Sequence, residues 1–150
     1  MGTGGAILNA SSFLEDTFLV QYGDSLLNVN YEMVLNCHIK SKKTMTMTVL
    51  PIELSNENPN VFFDEKSNLV KYKKGNQTKT FKYIDYGLLV FNKSKILKYK
   101  SSKNVSLDLG LIQSNLCESN DCNVFVANKK YLEIGTPESF ASTKNKLLDA

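Results

Sequence analysis

An acidic side chain follows the first strongly apolar segment of the chain and is the first candidate for chemistry. Residues 17–28 read Thr-Phe-Leu-Val-Gln-Tyr-Gly-Asp-Ser-Leu-Leu-Asn, a strand pattern that meets a glycine and places Asp24 just beyond it. In an open α/β sheet, side chains at the carboxyl ends of strands point into the crevice where ligands bind. Asp24 is therefore a candidate metal or substrate ligand. The alternative is a simple turn over Gly23-Asp24-Ser25, in which Asp24 caps the next segment.

A glycine-rich segment, Gly2-Thr3-Gly4-Gly5-Ala6, stands in front of a helical pattern that continues through Ile7 and Leu8. Glycine has no Cβ to keep a ligand away from the backbone, and free amides at a helix start can hold an anion. The segment is therefore a candidate contact for an anion or a flat ligand. It matches neither the G-x-G-x-x-G dinucleotide pattern nor a P-loop, which would end in Gly-Lys-Ser/Thr.

Composition restricts the class of protein and its partners. The chain of 150 residues suits one domain, and its 42% hydrophobic and 22% charged residues are typical of globular proteins. The net charge of +3 comes from lysines, and the sequence contains no arginine, which disfavours groove readout of DNA. The lysines between residues 71 and 103 could attract a phosphorylated ligand or nucleic acid, although such faces are more often simply solvated.

Cysteine and histidine usage indicates the compartment and excludes a strong metal motif. Cys37, Cys117 and Cys122 make an odd count without a disulfide framework, which fits a reducing compartment. Cys117 and Cys122 lack the second pair of ligands that zinc requires. His38 is expected to be a packed side chain near the end of a helix. No apolar run is long enough to span a membrane, so the expected location is the cytoplasm, with no membrane partner.

Hydrophobic periodicity predicts the elements that must position these residues. Two further strong strands are predicted over residues 44–50 and 83–91, and the second carries Asp85 two residues before Gly87. A helix is predicted after the cap residue Asn30, and a final helix after the cap residue Thr136. The remaining predictions are a hairpin over 61–63 and 69–72, helices over 94–99 and 107–116, and a last strand region over 124–126 and 131–135. This alternation of strands and helices favours an α/β sheet.

Four of these segments occur together in a fixed order, and the combination resembles a known family. The segments are Gly2-Thr3-Gly4-Gly5-Ala6, Tyr22-Gly23-Asp24-Ser25, Ile84-Asp85-Tyr86-Gly87 and Glu133-Ile134-Gly135-Thr136-Pro137-Glu138. They resemble the sugar nucleotidyltransferases (NDP-sugar pyrophosphorylases), in the branch of heptose- and mannose-1-phosphate guanylyltransferase-like proteins. The resemblance implies a three-layer, Rossmann-like fold of the nucleotide-diphospho-sugar transferase type, a mixed sheet flanked by helices.

The resemblance also implies a reaction and roles for individual residues. Members of this family let the phosphate of a sugar 1-phosphate attack the α-phosphate of a nucleoside triphosphate, with Mg²⁺ as cofactor and pyrophosphate as leaving group. Asp24 and Glu133 would then bind the metal, with Asp24 also catalytic, and Lys74 would neutralise the sugar phosphate. The implied substrate-binding residues are Gly2, Thr3, Gly4 and Gly5 at the base and ribose, Gly23 beside Asp24, and Asp85 and Gly87 at the sugar.

The chain departs from the family pattern at its amino end. Full-length relatives begin with a strand and a loop of the form Gly-Gly-x-Gly-Thr-Arg that holds the triphosphate, and nothing like it occurs here. Residues 1–150 are accordingly expected to form a partial, N-terminally truncated nucleotidyltransferase domain that is inactive or nearly so. The alternative is a non-catalytic sugar-nucleotide-binding or regulatory module. A glycosyltransferase ranks last because Asp24-Ser25-Leu26 lacks the Asp-x-Asp pair. The base, the sugar and the oligomeric state, including a homo-oligomer, stay open.

Overall fold

A computed structural model describes residues 2–55, 57–74, 80–100 and 106–148. Its helices are α1 (Gly2–Asn9), α2 (Tyr31–Ser41), α3 (Lys93–Ile96), α4 (Leu109–Glu118) and α5 (Pro137–Leu148). Its strands are β1 (Thr17–Gln21), β2 (Ser25–Leu26), β3 (Met45–Pro51), β4 (Val61–Asp64), β5 (Leu69–Tyr72), β6 (Tyr83–Asn92), β7 (Cys122–Val126) and β8 (Leu132–Glu133). Short 3₁₀ turns follow α1, β3 and α3.

The long strand β6 organises a mixed, six-stranded sheet. Strand β3 pairs with β6 antiparallel from Met45 opposite Phe91 to Pro51 opposite Tyr83, and β7 runs parallel to β3 on its other side. Because β3 occupies one edge of β6, strands β1 and β4 share the other edge. β1 pairs with Leu88 to Asn92, whereas the pairing with β4 is at Tyr83. The residues of β6 between those two pairings therefore have no strand beside them on that edge.

Side chains of β6 alternate between two apolar cores on opposite faces of the sheet. Leu89 and Phe91 belong to the larger core, to which α1 and α4 contribute, whereas Leu88 and Val90 belong to the smaller core, to which α2 contributes Val34. Helices thus cover both faces, and this arrangement confirms the three-layer α/β fold that the sequence predicts. No helix in the described ranges is long and apolar enough to cross a membrane.

Strand β3 is buried on both faces, which explains the packing of the single histidine. Met45 and Met47 lie in the larger core. Thr46 and Thr48 on the other face of β3, and Thr44 just before the strand, are also fully buried. The Thr46 hydroxyl lies 2.9 Å from Nδ1 of His38. His38 is a residue of α2 and is only 4% exposed. The prediction that His38 is a packed side chain is confirmed.

Two terminal regions differ from the sequence predictions. Helix α1 begins at Gly2, so the glycines form its first turns rather than a lead before it. Of the last predicted strand region, residues 124–126 lie in β7, whereas only Leu132 and Glu133 of residues 131–135 form a strand, β8. β8 pairs with β2 in a separate two-stranded sheet and not with the main sheet. Periodicity could not reveal this, since it reports which residues are extended and not which strand they pair with.

Helix α2 begins and ends with well-defined backbone geometry. The Asn30 side chain accepts a hydrogen bond from the Met33 amide at 3.0 Å, which confirms the predicted cap. At the other end Lys42 adopts a left-handed conformation with φ 57°, a position where glycine is the usual residue. A lysine side chain there costs free energy that glycine would not.

Replacing Lys42 by glycine is expected to raise the free energy of unfolding by about 1 kcal/mol, because the left-handed backbone no longer carries a Cβ. Urea denaturation of the parent and the variant measures the change. The control is Lys40→Gly, which places the same residue inside α2 and is expected to destabilise by about 1 kcal/mol. Equal shifts of the two midpoints in the same direction would contradict the left-handed assignment.

Candidate functional site

The candidate site, called the cleft below, surrounds the stretch of β6 that has no strand beside it. This stretch carries Asp85, Tyr86 and Gly87 between the pairings with β1 and β4, and Tyr86 and Gly87 are buried. Gly87 has φ +78°, and a Cβ on it would lie 3.0 Å from Cδ2 of Tyr22. The Tyr22 amide donates to the Gly87 carbonyl at 3.1 Å, so the tyrosine is fixed against the strand just before Gly23. Glycine at position 87 therefore permits both the turn of the backbone and the close approach of Tyr22.

Asp85 is the carboxylate of this stretch, and its hydrogen-bond partners are neutral groups. Its side chain accepts hydrogen bonds from the Gly87 amide at 3.0 Å and from Nε2 of Gln113 at 2.8 Å, while its own amide donates to the Asn60 side chain at 2.8 Å. Burial raises the pKa of Asp85, and the two hydrogen bonds to the carboxylate oppose the rise. Gln113 is fully buried, and its Oε1 has no hydrogen-bond partner within the described part of the chain.

Asp85→Asn is expected to stabilise the fold increasingly as the pH rises above 3.8, the ordinary pKa of the group. Because the native pKa lies above the unfolded one, the folded chain binds more protons over that range and the parent loses stability with rising pH. Asparagine removes this loss, and its amide can donate to the free Oε1 of a flipped Gln113. Urea midpoints across a pH series measure the difference between variant and parent.

Asp64→Asn serves as the control with the opposite sign. Hydrogen bonds from the Ser67 hydroxyl and the Lys66 amide lower the pKa of Asp64, so that carboxylate contributes stability above pH 3.8 and loses it as the pH falls. This variant should therefore lose stability relative to the parent as the pH rises. A pH-independent difference for Asp85→Asn would contradict the raised pKa of Asp85.

Tyr22 lies where three carboxylates converge. Burial raises the pKa of its hydroxyl, and the negative charges of Asp85, Asp108 and Asp24 raise it further, so the phenol stays protonated. Tyr22 is nevertheless 37% exposed, which means that part of the ring faces the cleft. A protonated phenol among carboxylates is a hydrogen-bond donor on the wall of this cleft.

Asp24 and Glu133 come together although they lie far apart in the sequence. Strands β2 and β8 pair with Ser25 opposite Glu133, and the Ile134 amide donates to the Asp24 carbonyl at 2.9 Å. A Cβ built on Gly135 would lie 3.3 Å from Oδ2 of Asp24 and 3.2 Å from Oε1 of Glu133. The two carboxylate oxygens are therefore no farther apart than the sum of these distances. Asp24 stands in a turn, as one of the two sequence alternatives predicts, and its role as a metal or substrate ligand stays a prediction.

A third acidic group lies next to this pair. The Tyr131 hydroxyl donates to a carboxylate oxygen of Glu57, and its ring packs edge-on against Tyr86 with centroids 5.1 Å apart. Burial together with Glu57 and Glu133 raises the pKa of Tyr131. The cleft thus gathers carboxylates from several elements, and phosphate groups could enter it only with compensating cations.

Lys74 lies beside the amino end of α4. Its Nζ is 2.8 Å from Oδ2 of Asp108, the residue that caps α4 by accepting from the Gly110 amide at 2.7 Å. These two hydrogen bonds hold the pKa of Asp108 below its usual range. Both side chains of the ion pair are more than half exposed, so the pair is weak and can open for a ligand.

The glycine-rich segment is held against the start of α4. The Gly4 and Gly5 amides both donate to the Leu107 carbonyl, at 3.0 and 3.2 Å, and the Leu109 amide donates to the Thr3 hydroxyl at 3.0 Å. These two amides are therefore not free to hold an anion, contrary to the sequence expectation. A Cβ on Gly4 would lie 3.0 Å from Ile112, so glycine here lets α1 approach α4 closely.

Comparison with known proteins decides the family. The family model for nucleotidyl transferases matches residues 1–150. The chain belongs to the nucleotidyl transferase family. Comparison with curated protein sequences gives no match.

Solved structures share the fold of this nucleotidyl transferase chain. Two crystal structures of HddC from Yersinia pseudotuberculosis, one of them complexed with GMP-PN, superpose with TM-scores of 0.73 and 0.71 at 21% sequence identity. In both cases 97% of this chain aligns, but only 62% of the HddC chain. This nucleotidyl transferase chain therefore spans less than two thirds of the length of HddC.

The donors present in this nucleotidyl transferase fit a divalent cation. Mg²⁺ usually takes one or two protein carboxylates together with water and phosphate oxygens. Asp24 and Glu133 supply the carboxylates, and Gly135 leaves open the space that a Cβ would fill between them. No group of three or more histidine, cysteine or acidic side chains suited to a metal occurs in the described part of the chain. The pair thus suits a cation that shares its coordination with a phosphorylated ligand.

Sequence reasoning missed several residues of the cleft. Tyr22 directly precedes Gly23 in the motif and could have been noticed as an aromatic residue at a strand end. Asp108 lies inside the helix predicted over 107–116, although an aspartate near the start of a helix is a recognisable cap residue. Asn60 and Gln113 carry no local signal, because only the folded sheet brings them to Asp85.

Proposed function

We propose that this chain forms the sugar-nucleotide site of a sugar-1-phosphate nucleotidyltransferase of the heptose- or mannose-1-phosphate guanylyltransferase-like branch. The single observation that carries the proposal is the pairing of Asp24 with Glu133 around the space left by Gly135. Family membership and the fold shared with HddC, one crystal of which contains GMP-PN, support the same function.

In this proposal each part of the cleft has a separate task. Asp24 and Glu133 hold Mg²⁺, which when bound neutralises phosphate charge and makes the α-phosphate a better electrophile. The stretch at Asp85 and Gly87 receives the sugar, whose hydroxyl groups suit a carboxylate acceptor. Tyr22 forms a wall between the sugar and the carboxylate pair. Lys74, released from Asp108, meets the phosphate of the sugar 1-phosphate.

The chemistry is the displacement of pyrophosphate from a nucleoside triphosphate. An oxygen of the sugar 1-phosphate attacks the α-phosphate, the bond to the β-phosphate breaks, and pyrophosphate leaves with the electron pair. The chain's residues contribute by holding both phosphorylated substrates in line and by compensating their charge. Without a cation the carboxylates at the cleft would repel both substrates, so the proposal requires binding to depend on the metal.

A non-catalytic sugar-nucleotide-binding module is the second candidate. One observation favours it: Lys74 is the lysine expected at the sugar phosphate, yet Asp108 already neutralises it. A module that binds the finished sugar nucleotide needs less positive charge than an enzyme that must bring two phosphorylated substrates together. Pyrophosphate release in the presence of both substrates would exclude the module.

Calorimetry with GDP-mannose tests the proposal. Saturable heat is expected with Mg²⁺ and is expected to disappear when EDTA removes the metal. Sugar nucleotides that carry uracil, adenine, cytosine or thymine, titrated in parallel, determine the preferred base. A folded sample that binds none of these ligands with Mg²⁺ present would exclude both candidates.

A further inference from the structure

A second concave site lies at the opposite end of the strands that form the cleft. A cavity of about 320 Å³ opens there, next to the first residue of β1, Thr17, and the last residue of β6, Asn92. His38, Lys42, Lys43 and Lys95 also line it. Strands rise by about 3.4 Å per residue, so Asn92 lies about 24 Å from Asp85 along β6. One small ligand cannot reach both sites.

Two lysines of this cavity are held in place by backbone carbonyl groups. The Lys95 Nζ donates to the Lys42 carbonyl at 2.9 Å, and the Lys43 Nζ donates to the Asn120 carbonyl. A carbonyl positions an ammonium group but leaves its charge uncompensated. None of the described residues that line the cavity is acidic. Burial opposes ionisation of the nearby Asp121 carboxylate, but hydrogen bonds from Thr44 and the charges of Lys95 and Lys98 lower its pKa, so Asp121 compensates part of the Lys95 charge.

Two further features distinguish the cavity from an ordinary solvated lysine face. Lys42 occupies its left-handed position at φ 57°, where glycine would be more stable, so the chain keeps a lysine there at a cost in folding free energy. His38 is buried in the wall, and burial followed by the charge of Lys95 lowers its pKa. The wall therefore contains a neutral imidazole close to the Lys95 ammonium group.

We propose that this cavity binds a small polyanion with two or more phosphate groups, of the size of pyrophosphate. Lysine ammonium groups bind phosphate as point charges and need no planar geometry, which suits a site without arginine. The volume lies at the lower end of the range for small-molecule sites. The concave shape favours a small anion over nucleic acid, which tracks along an extended basic groove. This proposal does not depend on the nucleotidyltransferase function of the cleft.

The position of the cavity suggests how an anion could influence the cleft. β1 begins with Thr17 at the cavity, and its last residue is followed directly by Tyr22 at the cleft. β6 carries Gly87 at the cleft and ends with Asn92 at the cavity. The two strands are paired over five residue pairs between the sites. An anion that fixes Thr17 and Asn92 therefore acts on the same two strands that carry Tyr22 and Gly87.

His38 provides a direct measurement, because it is the single histidine of the chain. Inorganic pyrophosphate is titrated while the Cε1 proton signal of His38 is followed by NMR, with sodium chloride at matched ionic strength as the reference titration. A saturable shift is expected with pyrophosphate and not with chloride. Lys42→Gly combined with Lys95→Ala is expected to weaken the affinity about ten-fold or more, since two ammonium charges are lost.

Three comparisons make the result decisive. Lys42→Gly is expected to stabilise the fold, so loss of binding in that single variant cannot result from unfolding. Lys66→Ala removes one positive charge, as Lys42→Gly does, but from the turn between β4 and β5. This variant should keep the full pyrophosphate-induced shift of the His38 signal. Asp24→Asn with Glu133→Gln should also keep it, which separates this site from the cleft.

Specific outcomes would overturn the proposal. These are the absence of a saturable shift in the folded parent, an unchanged affinity in the Lys42 and Lys95 double variant, and loss of the shift in the Asp24 and Glu133 double variant. A His38 shift produced by a single-stranded oligonucleotide but not by pyrophosphate would replace the small anion with nucleic acid as the ligand.

Discussion

Asp24→Asn is expected to weaken magnesium-dependent binding of GDP-mannose about 100-fold while leaving the fold intact, because a carboxylate ligand of the metal is replaced by a neutral amide. Asparagine has the same shape, and Asp24 is exposed, so little packing changes. Calorimetry at fixed Mg²⁺ measures the loss. Ser25→Ala is the control: it removes the hydroxyl that donates to Oδ1 of Asp24 at 3.2 Å but keeps the charge, and a few-fold effect at most is expected.

The same calorimetry on Glu133→Gln, alone and combined with Asp24→Asn, tests whether the two carboxylates bind the same metal ion. If both carboxylates hold the same cation, removal of either one already destroys the site, and the double variant should bind hardly worse than each single variant. Two losses that simply add would show that Asp24 and Glu133 act separately. Binding of GDP-mannose that stays dependent on Mg²⁺ in the double variant would place the metal elsewhere.

The features predicted correctly from the sequence are those that local chemistry determines. β1, β3 and β6 each carry a run of apolar or alternating residues long enough to identify a strand, and the Asn30 cap is a local hydrogen bond. Thr136 likewise accepts from the Ser139 amide at 3.1 Å at the start of α5. Residue type and near neighbours suffice for such elements.

What the sequence could not predict depends on pairing between distant segments. No periodicity indicates that β1 and β4 share one edge of β6. That arrangement leaves the edge at Asp85 and Gly87 without a partner strand. The separate sheet of β2 and β8 brings Glu133 to Asp24, and only the family resemblance had suggested that the two residues act together. Local pattern carries no information on which strand becomes the partner.

The two ends of β6 carry opposite charge, which the net charge of +3 conceals. Carboxylates of Asp24, Asp85 and Glu133 lie towards its first residues, and ammonium groups of Lys42 and Lys95 lie at its last. In the two proposals a phosphorylated ligand needs a metal at the first of these ends and none at the second. This difference gives the two proposed sites opposite responses to EDTA: binding in the cleft should disappear, and binding in the lysine cavity should persist.

Gly87→Ala is expected to lower the free energy of unfolding by about 2–4 kcal/mol. At φ +78° an L side chain is strained, and the new Cβ would lie 3.0 Å from Cδ2 of Tyr22. Relief of that contact requires Tyr22 to move, although its amide is bonded to the Gly87 carbonyl at 3.1 Å and ties β1 to β6. The variant should therefore lose both stability and the wall of the cleft, and urea denaturation followed by GDP-mannose calorimetry measures both.

Gly23→Ala provides the matched control one residue beyond Tyr22. A Cβ at that position would meet no atom within 4 Å, and Gly23 is not among the glycines of the described ranges with positive φ. Its substitution is expected to change stability by no more than about 0.5 kcal/mol. Equal destabilisation by the two alanines would mean that loss of glycine flexibility, and not the contact with Tyr22, is responsible. A stable Gly87→Ala variant would mean that β6 does not adopt the left-handed conformation at the cleft.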